Sequence, residues 1–400
     1  MNKFLLLLAP LLVGAGATFA QTTPSPGGNN PTAKPVADSV ASLKKKLNVN
    51  VLLRSSLEVP GGNQGQASFR LNEARFEVRG DLMPQLSYRV RYRLNQLSAP
   101  RSLDNSPGSL DIAYAIYRFG PNLKWNLTAG KQAAMVGSWE FEKNPTFEYQ
   151  YSDYVNRQLN LFSLGAKVGY DISPNHAVLV QLHNTYNDSF QNAFQTTGYA
   201  GNNLSAARTP MGVYVSWLGK FFDQHFLTFY SYNVSRFAQD QTNQSLSLGN
   251  KVAFDKFSAY LDLATSNVAV EYFNLASPGL NRYQATLSPA YLPTYGQNLN
   301  YKNAVLRLDY QFVPGWFVTA KGFYETASQR DDGPAGRNFR RNIGYLGGLE
   351  YQPIRGQDLK FFGYYYQHHI NYYNAVAATN PNQENQLFAV GMLYFIQALK

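Results

Sequence analysis

Residues 86–94 read Leu-Ser-Tyr-Arg-Val-Arg-Tyr-Arg-Leu, and this stretch decides the fold class. Its even-numbered positions are apolar or aromatic, whereas its odd-numbered positions hold Ser87, Arg89, Arg91 and Arg93. Successive side chains of a β-strand point to opposite faces. The alternation therefore predicts a strand with one apolar face and one strongly basic face, which suits a wall between lipid and water.

The same period of two recurs along most of the chain. It is clear at residues 162–170, 211–217 and 306–312, where apolar side chains alternate mostly with small, polar or charged ones. Helical spacing explains none of these segments. We predict sixteen strands, near residues 47–58, 68–80, 85–96, 110–119, 123–131, 161–171, 176–187, 209–220, 225–235, 251–262, 266–275, 300–312, 316–327, 340–352, 358–370 and 386–397.

The connections between these segments alternate in length. Seven are short turns, and the eight long ones lie near residues 59–67, 97–109, 132–160, 188–208, 236–250, 276–299, 328–339 and 371–385. This pattern predicts an all-β, transmembrane antiparallel β-barrel of about 16 strands, with short periplasmic turns and long extracellular loops. A β-sandwich is the alternative, but its turns would not alternate so regularly. Sixteen strands enclose more space than side chains fill, which leaves an aqueous channel.

The N-terminal segment differs from the rest of the chain. Residues 1–20 contain one lysine, an apolar run from Phe4 to Val13 and small residues up to Ala20, which is typical of a secretory signal peptide. The run is too short to span a bilayer as a helix. We predict a cleaved signal peptide at 1–20, a flexible periplasmic segment at 21–46, and an outer-membrane barrel of a Gram-negative bacterium at 47–400.

The composition narrows the classes of function. The chain has no cysteine, so it has no disulfide framework and no thiolate metal site. Five histidines occur without any nucleophile or zinc motif, and we predict no enzymatic activity, no metal and no cofactor. The net charge of +10 comes without an aromatic-basic motif, so nucleic acid is not an expected partner.

Arginines on the predicted inner face are the strongest functional signal. A guanidinium stays charged and forms paired hydrogen bonds with phosphate or carboxylate oxygens. A row of them can pass an anion from one site to the next. The alternative is that they pair locally with acids such as Glu77 and Asp309 and only keep the lumen solvated. The predicted anion pathway consists of Arg75, Arg79, Arg89, Arg91, Arg93 and Arg307.

The third long connection, residues 132–160, is too long for a simple hairpin. By analogy with other large barrels, we expect it to fold inward and narrow the lumen. An equal alternative is that its acids pair with wall arginines and have only a structural role. The candidate constriction residues are Lys131, Trp139, Glu140, Glu142, Glu148 and Asp153.

About a quarter of the chain resembles the phosphate-selective porin O and P family. The resemblance rests on residues 75–81 (Arg-Phe-Glu-Val-Arg-Gly-Asp), on the arginine-rich strand around Tyr88, and on Gly-Lys-Gln at 130–132, Gly-Ser-Trp-Glu at 137–140, Asn-Pro at 144–145 and Tyr-Ser-Asp at 151–153. It implies a sixteen-stranded barrel, usually trimeric, with a ladder of arginines and a lysine-lined constriction that passes phosphate or related anions. The ladder candidates are Arg75, Arg79, Arg89, Arg91 and Arg93.

The sequence thus predicts an outer-membrane porin that forms a passive aqueous channel with a preference for phosphate-type anions. The alternatives are a general or oligosaccharide-specific diffusion porin, and a non-channel barrel such as an outer-membrane lipase or adhesin. The expected partners are small anionic or hydrophilic solutes, outer-membrane lipids and lipopolysaccharide, the barrel-assembly machinery and further copies of the chain in a homotrimer.

Overall fold

The computed structural model describes residues 47–62, 65–95, 110–142, 147–186, 189–195, 199, 204–330 and 333–399. Within these residues, sixteen strands pair in sequence order, each antiparallel to the next, and the last strand closes onto the first. The predicted sixteen-stranded antiparallel barrel is confirmed. The predictions for residues 1–20 and 21–46 lie outside the described residues.

The strands have these bounds. The first eight are β1 Asn48–Pro60, β2 Ser68–Met83, β3 Leu86–Arg93, β4 Leu110–Phe119, β5 Trp125–Ala133, β6 Phe162–Ser173, β7 His176–Asn184 and β8 Met211–Phe221. The other eight are β9 Phe226–Ala238, β10 Gln241–Ala253, β11 Phe257–Val270, β12 Gln297–Val313, β13 Trp316–Gln329, β14 Arg340–Tyr351, β15 Asp358–Tyr372 and β16 Gln383–Leu399.

The helices among the described residues are short and lie in the connections. They are α1 Trp139–Glu142, α2 Phe190–Gln195 and α3 Ser277–Leu287, together with a π-helical turn at Tyr154–Gln158 and 3-10 turns at Pro121–Leu123 and Asn374–Ala378. Among the described residues, no helix has the length and apolar character needed to cross a membrane.

The two faces of the wall carry different side chains, as β12 illustrates. Leu306, Leu308 and Tyr310 are 37–46% exposed on the outer face, whereas the neighbouring Arg307 is 1% exposed. Because alternate residues face opposite sides, the apolar set meets the lipid and Arg307 lies inside. The amphipathic pattern in the sequence thus reflects the position of each residue relative to the membrane.

The prediction is wrong for the strands around residue 245. A long loop was expected at 236–250, but β9 and β10 are joined by a two-residue turn, Gln239–Asp240, in which Asp240 has a φ of 58°. Strands ten and eleven therefore span 241–253 and 257–270 rather than 251–262 and 266–275. The first residues of β10 are polar on both faces, so they lack the alternation that identifies a strand in sequence.

The outer ends of several strands are covered by loops that pack on one another. Leu280 of α3 belongs to one buried apolar cluster with Phe339 and Val376, which come from two other outer connections. The start of α3 is fixed by Glu271, whose carboxylate accepts hydrogen bonds from the backbone N–H groups of residues 275, 276 and 277. An acid placed there satisfies amides that have no partner inside the helix.

The cost of a charge on the outer face should depend on its depth in the membrane. Leu261 faces outward near the middle of β11, and Asn267 faces outward near its outer end. We expect Leu261→Arg to lower the free energy of unfolding by about 2–4 kcal/mol and Asn267→Arg by about 0–1 kcal/mol. Urea unfolding of the barrel in lipid vesicles measures both. Equal losses would contradict the assigned membrane position of β11.

Candidate functional site

The described residues of the connection between β5 and β6, 134–142 and 147–161, fold into the barrel, and we call them the inner loop. It enters along the wall at Gly137, whose N–H donates to the Ser231 hydroxyl at 2.8 Å. A Cβ at this position would lie 2.5 Å from the carbonyl oxygen of Phe229 and 2.6 Å from that of Ser247. Only glycine therefore allows the loop to run so close to the wall.

Two carboxylates of the wall bind the backbone of the inner loop. Asp262 of β11 accepts hydrogen bonds from the N–H groups of Trp139 and Glu140 at 3.0 and 2.8 Å, and from the Ser138 hydroxyl at 2.8 Å. Glu325 of β13 does the same for the N–H groups of residues 153 and 154. Charge-assisted hydrogen bonds of this kind are among the stronger ones in proteins.

Three acids of the inner loop bind cations of the wall in return. Lys321 of β13 contacts Glu140 at 2.6 Å and Glu148 at 3.0 Å. Arg307 of β12 contacts Glu148 at 3.0 Å, and Arg340 of β14 contacts Asp153 at 2.8 Å. We call these six residues the loop clamp. Removing one member of a buried ion pair typically costs about 3–5 kcal/mol, because its partner stays buried without compensation.

A cluster of arginines, which we call the basic wall, lies on the inner face of β2 and β3. In a ring of sixteen strands these two stand opposite β10 and β11. Arg75 pairs directly with Arg93 across the two strands, and Arg79 pairs with Arg89. Like charges in such positions repel each other, so nearby acids must offset them. The basic wall comprises Arg75, Arg79, Arg89, Arg91 and Arg93.

Three carboxylates offset part of this charge. Glu77 lies 2.7 Å from Arg89, and Arg75 lies 2.8 Å from Glu73 and 2.9 Å from Asp111. All three acids are at most 8% exposed. Five guanidinium groups thus face three carboxylates, and the cluster keeps two positive charges in excess.

Arg79, Arg91 and Arg93 are compensated less closely than Arg75 and Arg89, because each lies at least 3.4 Å from its nearest carboxylate. Arg91 Nε lies 3.4 Å from Asp111, and Arg93 Nε lies 3.8 Å from the same carboxylate. Both Nε atoms are buried and donate no hydrogen bond to any residue in the described part of the chain. The Arg91 guanidinium lies 5.4 Å from the ring centre of Phe162, and the Arg93 side chain is 24% exposed. The Arg93 side chain thus reaches the lumen, whereas the Arg91 side chain, 5% exposed, is largely covered.

Glu142 is the inner-loop acid that stays outside the clamp. Its Oε1 is buried and accepts no hydrogen bond among the described residues. Burial raises the pKa of Glu142 to about 7, although the charges of Lys167, Arg89 and Lys251 act in the opposite direction. Glu142 therefore changes charge near neutral pH, within reach of the cations on the wall.

The structure divides the predicted site residues between three places. The five arginines of β2 and β3 form one cluster, whereas Arg307 belongs to the loop clamp. Lys131 lies in β5 rather than in the loop and is 2% exposed. Trp139 packs against Phe229 with 6.4 Å between ring centres and lies under Lys251. The loop clamp contains Glu140, Glu148 and Asp153. This fits the alternative that these acids pair with cations of the wall and have a structural role.

Sequence reasoning missed four residues that hold the inner loop. Asp262, Lys321, Glu325 and Arg340 come from three strands far along the chain from the loop. Their inward position follows from strand alternation, and a charged residue at an inward position was the available signal. Which acid each cation contacts depends on how the loop crosses the lumen. Alternation along the strands does not predict that path.

Comparison with known proteins places this geometry in context. The model of the family described as phosphate-selective porin O and P matches residues 55–396. No curated protein matches this chain. Among solved structures, the outer membrane channel DcaP of Acinetobacter baumannii is similar with a TM-score of 0.58 at 11% identity, over 88% of this chain and 96% of that one.

Two further similar structures cover 88% of this chain and 99% of their own. They are an anion-selective porin from Comamonas acidovorans, with a TM-score of 0.55 at 8% identity, and the trimer form of OmpT from Vibrio cholerae, with a TM-score of 0.55 at 11% identity. At these identities, the likeness shows the fold alone.

Removing the central cation of the loop clamp should release the inner loop. Lys321→Met leaves Glu140 and Glu148 buried side by side without their shared cation, so we expect stability to fall by about 3–5 kcal/mol. Single-channel conductance and its open-state noise should rise. The matched control is Lys256→Met, in an exposed turn, which should change neither quantity. Wild-type conductance and stability in Lys321→Met would contradict the clamp.

Proposed function

This chain belongs to the phosphate-selective porin O and P family, and is therefore an outer-membrane porin channel; on that premise we propose that it prefers small anions, phosphate-type oxyanions in particular. The observation that carries this proposal is the basic wall. It holds five inward arginines against three acids, while most acids of the inner loop are bound in the clamp. The side of the lumen formed by β2 and β3 is thus positive.

The basic wall provides successive contacts for an anion. Residues two apart in a strand lie about 7 Å from each other on one face, so Arg89, Arg91 and Arg93 form a row with short steps. Guanidinium donors fit the oxygens of phosphate in pairs, and several weak sites in sequence allow an ion to enter and also to leave. An excess of two positive charges suits a dianion such as hydrogen phosphate. Passage needs no cofactor.

The role of the inner loop in this proposal is to narrow the lumen without attracting cations. Of its four acids in the described residues, Glu140, Glu148 and Asp153 are paired with cations of the wall. Glu142 remains as the acid that tunes the potential beside the basic wall. We assign Arg307 to holding the loop rather than to the anion pathway.

A second candidate function, diffusion of uncharged hydrophilic solutes, is favoured by a cavity between the inner loop and β7–β11. Its lining includes the amides of Asn233 and Asn243 and the rings of Tyr214 and Tyr272, and none of its lining residues is an acid, a lysine or an arginine. Carboxamides beside aromatic rings suit hydroxylated solutes. Such a channel would show little discrimination between anions and cations.

We further propose that the protein works as a homotrimer among outer-membrane lipids and lipopolysaccharide, after insertion by the barrel-assembly machinery and cleavage of residues 1–20. The trimer form of the similar OmpT supports the first part. Cross-linking of the protein in native membranes, followed by gel electrophoresis, tests it: a ladder ending at three copies is expected, and a band of single copies alone would contradict it.

Neutralising Arg91 and Arg93, at one end of the basic wall, should reduce the anion preference. One charge about 7 Å from a passing ion is worth on the order of 0.6 kcal/mol in water, so removing two with Arg91→Gln and Arg93→Gln should lower the anion-to-cation permeability ratio by at least roughly sevenfold. Reversal potential in a planar bilayer under a potassium chloride gradient measures this, and phosphate should block the wild-type current.

The control for that experiment is Arg236→Gln, which removes an exposed, outward-facing arginine of β9. It should leave the reversal potential unchanged. A wild-type channel without anion preference would leave a general diffusion porin, and an unchanged ratio in the double variant would remove the basic wall from the pathway.

The anion preference should depend on pH through Glu142. Its pKa is raised to about 7, so the carboxylate is charged above that pH and becomes neutral as the pH falls through it. Loss of this negative charge near Arg89, Lys167 and Lys251 leaves the lumen more positive. We expect the permeability ratio for anions over cations to rise on going from about pH 8 to about pH 6. In Glu142→Gln the ratio should stay at the low-pH value throughout, and a wild-type pH dependence in that variant would contradict the assignment.

A further inference from the structure

The outer face of the barrel shows where the hydrocarbon of the membrane ends. Along β12, the outward residues from the periplasmic end are Phe312, Tyr310, Leu308, Leu306 and Ala304, and the next two are Lys302 and Asn300. The apolar part covers about 26 Å along the strand, or roughly 20 Å of height at a tilt of about 40°. Lys302 therefore lies at the level of the outer-leaflet headgroups.

The neighbouring strands change character in the same row. On β13 the outward series passes from Tyr324 to Thr326, and on β14 it passes from Ile343 to Arg341. Alternation fixes the direction of these residues, because Glu325 and Arg340 beside them point inward to the inner loop. The end of the apolar band is thus a continuous line across three strands.

Lys302, Thr326 and Arg341 form one cross-strand row, which we call the headgroup row. Lys302 pairs with Thr326 across β12 and β13, and Thr326 pairs with Arg341 across β13 and β14. Directly opposite residues lie about 5 Å apart, so the backbone positions of the two cations are about 10 Å from each other, with the buried Thr326 between them. Their side chains are long enough to meet on one phosphate-sized group.

Neither cation is neutralised within the part of the chain that the structure describes. No acid of the described residues lies within ion-pair distance of Lys302 or Arg341. Arg341 Nε is buried and donates no hydrogen bond there, and its guanidinium is held 4.1 Å from the ring centre of Tyr373. Glu384, an outward acid of β16, accepts hydrogen bonds from the side chains of Gln367 and Gln386.

We propose that the headgroup row binds a phosphate on the headgroup of an outer-leaflet glycolipid of the lipid A type. Two cations at headgroup depth, neither of them paired with an acid of the described residues, complement a phosphate that is fixed at the same depth. Without such a phosphate, the outward position of Lys302 and Arg341 would be unfavourable, because charges at the membrane surface need counter-charges or water. The headgroup row lies on the outside of the barrel, so its binding of lipid does not depend on which solute passes through the lumen.

Native mass spectrometry of the full-length mature protein tests this site. The protein is exchanged into micelles that contain bisphosphorylated lipid A or the same lipid with both phosphates removed. Because hydrogen bonds between charged groups are strong, we expect the wild type to retain the phosphorylated lipid at least about tenfold better. Lys302→Gln combined with Arg341→Gln should abolish that preference, and Arg236→Gln, which removes an outward arginine elsewhere on the wall, should keep it.

Other outcomes would overturn the proposal. Equal retention of both lipids by the wild type means that phosphate is not recognised, and loss of preference in Arg236→Gln means that any outward cation suffices. Heat-modifiable migration on gels checks that each variant is folded. If the double variant does not fold, the single variant Lys302→Glu is used. It should reduce retention of the phosphorylated lipid and leave the single-channel conductance unchanged. Full retention in that variant would reject the site.

Discussion

Every backbone polar group inside the hydrocarbon must find its hydrogen bond within the protein, and the rest of this structure depends on that constraint. A closed sheet satisfies it, since each of the sixteen strands bonds to two neighbours and no edge is left in lipid. Closure at this number of strands leaves a lumen that side chains cannot fill. The chain partly fills it with the inner loop, which needs strong attachment because it carries little secondary structure of its own.

That attachment determines which charges face the permeating solute. Acids of the loop meet Lys321, Arg307 and Arg340, and acids of the wall meet loop amides, so most charge on the β11–β14 side is neutralised locally. The opposite side, on β2 and β3, keeps its excess of arginine. The asymmetry of the lumen is therefore a consequence of how the loop is held. Outside the barrel, Lys302 and Arg341 have no acid within ion-pair distance among the residues that the structure describes.

The sequence predicted the features that follow from alternation and missed those that follow from tertiary contact. Residues 86–94 indicated a barrel and correctly grouped the arginines of β3 on the inner face. The polar start of β10 gave no such signal, and the turn at Asp240 was taken for a long loop. Arg307 looked like a member of the anion pathway because its face was predictable but its partner, Glu148, was more than 150 residues away. The face on which a strand residue lies was readable, whereas the course of the inner loop was not.

The most direct measurement locates the path of water and ions through the lumen. The chain has no cysteine, so single cysteines report without background. Arg93→Cys on the basic wall and Ser247→Cys, which lies behind the inner loop on β10, are exposed to a small anionic thiol reagent while the current is recorded. We expect fast modification and a fall in current at position 93, with position 247 protected. Equal rates at both positions would contradict a pathway that runs along the basic wall.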